Sequence, residues 1–283
     1  MTFVTYLCNR KESLMAVIIK EKQDLTYLQW SHIRSSSGTA GSFLKSGSNL
    51  GGVKKYYKLS IFDPANGIVG HECVNEIIVD RLLTILGVPH LSYELINADI
   101  EVDGTQYNTW LCSSEDFKAK GESKIALDDY YRENTIPSES HYDFCARQGW
   151  KEYIDRMIVI DYLILNRDRH GANIEVLRNS RAHTMRIAPY FDHGVSLLYS
   201  CHSDKEAAAF DVMADIKCNN FIGSFSCRDN LRLVADTPKY FSGLLTPAHK
   251  RILFDGLEDI LSRTFIDRIW EMIYERYNAY EKL

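Results

Sequence analysis

Asp161-Tyr162-Leu163-Ile164-Leu165-Asn166-Arg167-Asp168-Arg169-His170-Gly171-Ala172-Asn173 is the stretch on which the reading of this chain turns. An apolar run, Met157 to Leu165, delivers the backbone into a dense polar knot. A second knot follows at Ile187-Ala188-Pro189-Tyr190-Phe191-Asp192-His193-Gly194. Charged residues that abut core-type runs are costly to bury unless they are paired or hold a metal. Two such knots close together in sequence point to a site.

The spacing says more than the composition. Asp168 stands five positions before Asn173, and Asp192 follows further on. In kinase-type phosphoryl transfer an aspartate accepts the proton of the substrate hydroxyl. An asparagine at this same spacing and the aspartate of a downstream D-x-G element hold Mg²⁺ against the nucleotide phosphates. The residue types suit the task, because hard Mg²⁺ takes oxygen ligands and needs only one or two from the protein. The bland alternative is a structural turn with an ordinary Asp/Arg ion pair, and an isolated D-x-x-x-x-N motif supports little more. Asp192-His193-Gly194 and the features upstream weigh against that alternative.

Upstream, Ser35-Ser36-Ser37-Gly38-Thr39-Ala40-Gly41-Ser42 is made of small and hydroxyl residues. It does not satisfy G-x-x-x-x-G-K-[ST], but Ser37, Gly38, Thr39, Ala40 and Gly41 would let backbone N–H groups approach phosphates; the competing reading is a flexible linker. Val53 to Phe62 is expected as a strand, with Lys54, Tyr56 and Lys58 on one face and Lys55 and Tyr57 on the other. Lys58, anchored by Leu59 and Ile61, is the choice for a phosphate-binding lysine, with Lys54 and Lys55 as edge charges. His71 to Leu86 has helical apolar spacing (Val74, Ile77, Ile78, Leu82, Ile85, Leu86) and stops at Gly87-Val88-Pro89. Glu76 within it is placed to pair with Lys58, with Glu72 as the competitor. His90 to Asn97 and Thr105 to Ser113 are expected strands joined at Asp103-Gly104. The stretch Trp110 to Phe117 would be the connector that meets the adenine, which nominates Cys112, Glu115 and Phe117.

The remainder is expected to be loop over 118–138, then helices near 142–149, 150–165, 205–217, 247–262 and 265–280, the fourth of these opened by Thr246-Pro247. The stripe Phe265, Ile266, Ile269, Trp270, Ile273, Tyr274 and Tyr277 is core packing. The order loop, lysine, glutamate, connector, Asp/Asn, Asp predicts an α+β, two-lobed, protein-kinase-like fold: a strand-rich N-lobe over 1–117 and a helical C-lobe over 118–283. The chain has 283 residues, 45% hydrophobic and 25% charged, with a formal net charge of −5. That composition supports a globular core, and no direct nucleic-acid partner is expected. Seven scattered cysteines without a C-x-x-C pair fit reduced, partly buried thiols in a cytoplasmic protein. Neither a signal peptide nor a membrane span, which needs about 18 or more apolar residues in a row, is expected.

Asn166-Arg167-Asp168-Arg169-His170-Gly171-Ala172-Asn173 resembles the N-x-D-R-H-x-x-N catalytic loop of the HipA-type family of bacterial serine/threonine kinases. Asn75-Glu76 ahead of Leu86-Gly87-Val88-Pro89 is similar to its N-E…L-G-x-P segment, and Tyr190-Phe191-Asp192 to its metal aspartate. The resemblance covers roughly residues 35–200 and points to the compact, single-unit form, the cell-translocating kinase type, since the chain lacks room for the extra N-terminal subdomain of the long form. It implies ATP and Mg²⁺ as cofactors, a protein partner with a Ser/Thr acceptor, and a loop serine (Ser35, Ser36 or Ser37) whose autophosphorylation switches activity off. It leaves open any regulatory partner protein and any translocation. On this reading Asp168 is the base, Asn173 and Asp192 hold the metal, and Arg169 and His170 brace the loop. Two rivals stand beside it: a metal-dependent hydrolase with Asp168, His170, Asp192 and His193 as ligands, and a nucleotide-binding module without catalysis.

Overall fold

Helix α1, Glu72–Ile85, is the element that both halves of the molecule share. In the computed structural model, which describes residues 16–31, 43–50, 52–63, 65–235 and 241–283, every α1 residue from Glu72 to Leu83 is buried. Val74, Ile77, Ile78 and Leu82 enter the main core as their spacing predicts. The helix is buried all round, so its polar side chains must find partners inside the protein. Asn75 Nδ2 donates to the carbonyls of Gly194 and Ser196, at 2.9 and 3.0 Å. Asp80 accepts from the Tyr93 N–H at 2.8 Å. Arg81 donates to the carbonyls of Leu253, Asp255 and Ala16. Gly87 ends the helix with φ +70°. The bonds Gly87 N to Thr84 O and Val88 N to Leu83 O close it, and a Cβ at Gly87 would collide with the Ser242 side chain.

One face of α1 carries a five-stranded mixed sheet. Its strands are β1 (Val17–Asp24), β2 (Lys45–Leu50), β3 (Val53–Lys58), β6 (Glu94–Val102) and β7 (Thr105–Glu115), in the order β1-β6-β7-β3-β2, with a two-stranded ribbon of β4 (Phe62–Asp63) and β5 (Gly67–Ile68) between β3 and α1 in sequence. Only β1 and β6 run parallel within the sheet. The β6–β7 hairpin turns at Asp103-Gly104, both with positive φ as a two-residue type I′ turn requires. Leu25, Leu28, Tyr57, Leu59, Ile100 and Leu111 form a small core on the outer face, while Leu95 and Cys112 join the main core on the α1 side. β3 lies inside the sheet, so Lys55 is no edge charge: it pairs with Glu94 at 2.9 Å.

The second half is built around α4 (Lys151–Ile164) and α8 (Arg263–Glu281), with the shorter helices α2 (Leu127–Asn134), α3 (His141–Arg147), α5 (Asp204–Ala209), α6 (Cys227–Asn230) and α7 (His249–Phe254) around them. The main core runs without interruption from Cys73 on α1 to Tyr280 on α8. The α8 stripe is buried at Phe265, Ile266, Ile269, Ile273 and Tyr277, and Trp270 stacks on Tyr274 at its margin. No helix among the described residues is long and apolar enough to cross a membrane.

Three further expectations are corrected. Residues 118–138 are not a loop. They contain α2 and β8 (Ser123–Ala126), which pairs with β10 (Glu175–Asn179) in a three-stranded sheet completed by β11 (Thr184–Ile187). The helix expected over 205–217 ends at Ala209, because side chains of α8 claim the carbonyls beyond it. Arg268 donates to Phe210 O, and Arg276, 1% exposed, to Val212 O and Ala214 O. The helix expected over 247–262 is confined to His249–Phe254, so Thr246-Pro247 does not cap it; the Thr246 N–H is met by His249 Nδ1 at 3.0 Å.

Candidate active site

α4 stops at Leu165, whose left-handed backbone (φ +49°) turns the chain into the loop picked out from the sequence. The loop is held by one buried guanidinium. Arg169 is 2% exposed and donates to both oxygens of Asp161, through Nε to Oδ2 at 3.0 Å and NH2 to Oδ1 at 3.0 Å. Burial opposes the Arg169 charge, and Asp161 beside it outweighs burial and holds the pKa above the ordinary arginine value. The remaining nitrogen, NH1, donates to the carbonyls of Asn173 (3.3 Å) and Phe191 (2.9 Å). One side chain thus ties the asparagine end of the loop to the segment that carries Asp192. The bracing role expected of Arg169 has this physical form.

Asp168 is clamped from within the loop. Its N–H donates to Asn166 Oδ1 at 3.2 Å, and its carbonyl accepts from Asn173 Nδ2 at 2.8 Å. His170 Nε2 lies 3.7 Å from Asp168 Oδ2. Gly171 is needed for a close approach: a Cβ there would stand 2.5 Å from Asp128 Cβ and 2.9 Å from the Phe221 ring. Strand β9 (Asp168–Arg169) runs parallel to β12 (Asn219–Asn220), which comes from the irregular segment after α5.

Lys58 ends β3 and reaches across the sheet to α1. Its Nζ is 3.0 Å from Glu76 Oε1 and 2.5 Å from Asp192 Oδ1. Glu76 is fully buried and also accepts the His193 N–H through Oε2 at 2.9 Å. Asp192 has a left-handed backbone (φ +59°), uncommon for a residue with a side chain, and its N–H donates to the Tyr93 hydroxyl. Burial works against the Lys58 ammonium, and Asp192 and Glu76 outweigh burial, so its pKa lies well above the ordinary value. Burial also pushes the Asp192 carboxyl up, but Lys58 pulls it down harder, leaving it well below the ordinary carboxylate range. At Glu76 burial prevails over Lys58 and the pKa is raised. Asp192 is therefore the carboxylate that balances Lys58, and Glu76 is the one nearer neutrality.

The donor chemistry fits a hard divalent cation. A carbonyl only accepts, so the bond to Asp168 O fixes Asn173 Nδ2 as the inward atom of its amide and leaves Oδ1 as the oxygen for a metal. Asp192 supplies an ionised carboxylate. The hydrolase set is not assembled. The His193 imidazole is 2% exposed, faces Glu76, and is driven well below the ordinary histidine pKa first by burial and then by Arg169. Among the described residues no group of three or more His, Cys, Asp or Glu side chains is arranged to hold a metal.

Lys58, Glu76 and Asp192 thus meet directly, and Asp168 and Asn173 meet directly, with Arg169 joining the two groups. The connector residues differ in their surroundings. Cys112 is buried within β7, opposite Lys58 in register, so its backbone belongs to the sheet and not to a cleft. Glu115 is the last residue of β7, opposite Lys55. Phe117 packs on Phe191 at 5.4 Å between ring centres and carries Lys124 Nζ over its face at 4.0 Å. Ser35, Ser36, Ser37, Gly38, Thr39, Ala40 and Gly41 lie outside the described residues. Sequence reasoning assigns no role to Asp161 or Asn166. The signal was present: an acid inside the apolar run Met157–Leu165 needs a buried partner, and Arg169 is that partner. Tyr93 had no local signal.

No protein-family model and no curated protein matches the chain. Among solved structures, the Helicobacter pylori proinflammatory kinase CtkA matches with a TM-score of 0.59 and 16% identity, over 92% of this chain and 97% of that one. The fold is the two-lobed, kinase-like fold of that structure. Two further matches are more distant. HipA of Shewanella oneidensis, solved with HipB and operator DNA, has a TM-score of 0.41 and 14% identity over 87% of this chain and 58% of that one. WaaP in complex with acyl carrier protein has a TM-score of 0.36 and 14% identity over 90% and 89%.

Proposed function

We propose that this chain is an ATP- and Mg²⁺-dependent protein kinase that phosphorylates serine or threonine. The observation that carries the reading is the joining of two clusters by Arg169. Its one nitrogen contacts both Asn173 O and Phe191 O, which sets the Asp168–Asn173 pair beside the Lys58–Glu76–Asp192 triad. The residues of the chain divide the work as follows. The Asp168 carboxylate accepts the proton of the acceptor hydroxyl. Lys58, oriented by Glu76, pairs with nucleotide phosphate oxygens. Asn173 Oδ1 and the Asp192 carboxylate would hold the metal. When bound, Mg²⁺ would supply positive charge that offsets the nucleotide phosphates. The N-lobe, over 1–117, covers the nucleotide, with backbone of the 37–41 loop on its phosphates. Ser35, Ser36 or Ser37 receives phosphate in autophosphorylation. A cytoplasmic place of action and a Ser/Thr protein substrate belong to the same proposal.

Asp168→Ala tests it. The variant is expected to bind ATP with wild-type affinity and to lose phosphoryl transfer by about 10²-fold or more. Transfer at the wild-type rate in this variant would refute the assignment of the base.

A further inference from the structure

Asp168 is held by three asparagines, and only two of them belong to its own loop. Asn166 takes its N–H and Asn173 its carbonyl. The third, Asn219, lies 51 positions downstream, and its Nδ2 donates to the side-chain oxygen Asp168 Oδ1 at 3.1 Å. The two in-loop asparagines fix the backbone of the base. Neither fixes its carboxylate, whose terminal torsion is broad and roughly two-fold.

The amide of Asn219 is itself rigidly carried. Residues 219 and 220 pair in register with 168 and 169, so parallel pairing stands the side chains of Asn219 and Asp168 next to one another. The Asn219 N–H donates to Arg167 O at 2.9 Å and the Phe221 N–H to Arg169 O at 2.8 Å. Beyond the strand, the His141 ring stacks on Phe221, 4.1 Å between centres and 19° between planes, and His141 Nδ1 donates to the Phe221 carbonyl at 2.7 Å. Asn220 Nδ2 closes the following turn on Ser224 O at 3.0 Å. The strand is thus fastened by backbone and by aromatic stacking, independently of the Asn219 side chain.

We infer that Asn219 is a positioning residue for the proposed phosphoryl transfer: its amide sets the plane of the Asp168 carboxylate that takes the acceptor proton. A donor to an ionised oxygen is directional, and a base displaced by about 1 Å can lose about 10²-fold in rate. The inference rests on the kinase reading, because it assigns Asn219 to a base only that reading supplies.

The experiment measures kcat, KM for ATP, ATP affinity and thermal midpoint in the full-length protein for Asn219→Ala, Asn219→Asp and Asp168→Ala. Asn219→Ala is expected to lower kcat about tenfold with KM for ATP within about twofold. Asn219→Asp keeps the shape but replaces the donor with a second carboxylate, so its kcat should fall further, about 10²-fold, with ATP affinity and the thermal midpoint near wild type. A purely structural asparagine would show the reverse: losses in midpoint and ATP affinity, and an isosteric aspartate milder than alanine. That pattern, or a wild-type kcat in Asn219→Ala beside an inactive Asp168→Ala, overturns the inference and leaves the kinase reading standing. A wild-type rate in Asp168→Ala overturns both.

Discussion

Replacing Lys58 by methionine removes the positive charge that lies between the buried carboxylate of Glu76 and the partly buried one of Asp192, and the consequence can be worked from the geometry. Lys58 contacts Glu76 at 3.0 Å and Asp192 at 2.5 Å, and the three side chains are 11%, 0% and 20% exposed. Removing one partner of a buried pair costs about 3–5 kcal/mol, because the remaining charge is left unbalanced. At about 2–4 °C per kcal/mol for a chain of this class, Lys58→Met should melt roughly 6–20 °C lower. Part of the cost is relieved when Glu76 takes up a proton, which fixes the pH dependence. Burial already raises the Glu76 carboxyl with Lys58 present, and removing Lys58 raises it further. A carboxyl raised in the folded state is at its most favourable when protonated. Its penalty therefore grows as pH rises past the unfolded value of about 4.3 and is complete above the folded value. The deficit of Lys58→Met is expected to be large near about pH 8 and to shrink toward about pH 5. Adding Glu76→Gln should return part of the lost stability at the higher pH, a coupling that a double-mutant cycle reads directly. Thermal unfolding followed by circular dichroism at both pH values is the assay. A deficit below about 1 kcal/mol, or one equal at the two pH values, would refute the reasoning.

The loop offers two further tests. Arg169→Met leaves Asp161 buried without its bidentate partner and releases the carbonyls of Asn173 and Phe191, so chemical denaturation should show about 3–5 kcal/mol lost; wild-type stability would sink the bracing role. Gly171→Ala sets a methyl 2.5 Å from Asp128 Cβ and 3.0 Å from its backbone nitrogen. Such overpacking is expected to cost about 1–3 kcal/mol and to slow turnover while ATP affinity is kept, measured by calorimetric titration beside a steady-state assay; unchanged turnover would show that the loop accommodates the methyl.

Local signals made the central parts legible. Helical spacing and the Gly87 stop marked out α1, and Asp103-Gly104 named its own turn. The pairing of Lys58 with Glu76 followed from placing a strand lysine near a helix carboxylate. Long-range pairing was not legible. β8 and α2 exist because β10 and the core accept them, and residues 118–138 have little apolar pattern of their own. The 205–217 helix has acceptable propensity, yet Arg268 and Arg276 take the carbonyls its continuation would need. Asn219 is invisible for the same reason: only the β9–β12 pairing brings it to Asp168. Cys112 lies inside β7, because apolar-then-polar order at a strand end locates a connector without saying which residue leaves the sheet.

Incubation with γ-labelled ATP and Mg²⁺, followed by mass spectrometry of the intact and digested protein, tests the central claim most directly. Phosphate is predicted on a serine or threonine of the wild-type chain, with Ser35, Ser36 and Ser37 as the expected acceptors, and none on an equally folded Asp168→Ala. A wild-type chain that binds no ATP, and places label neither on itself nor on any added protein acceptor, would contradict the account.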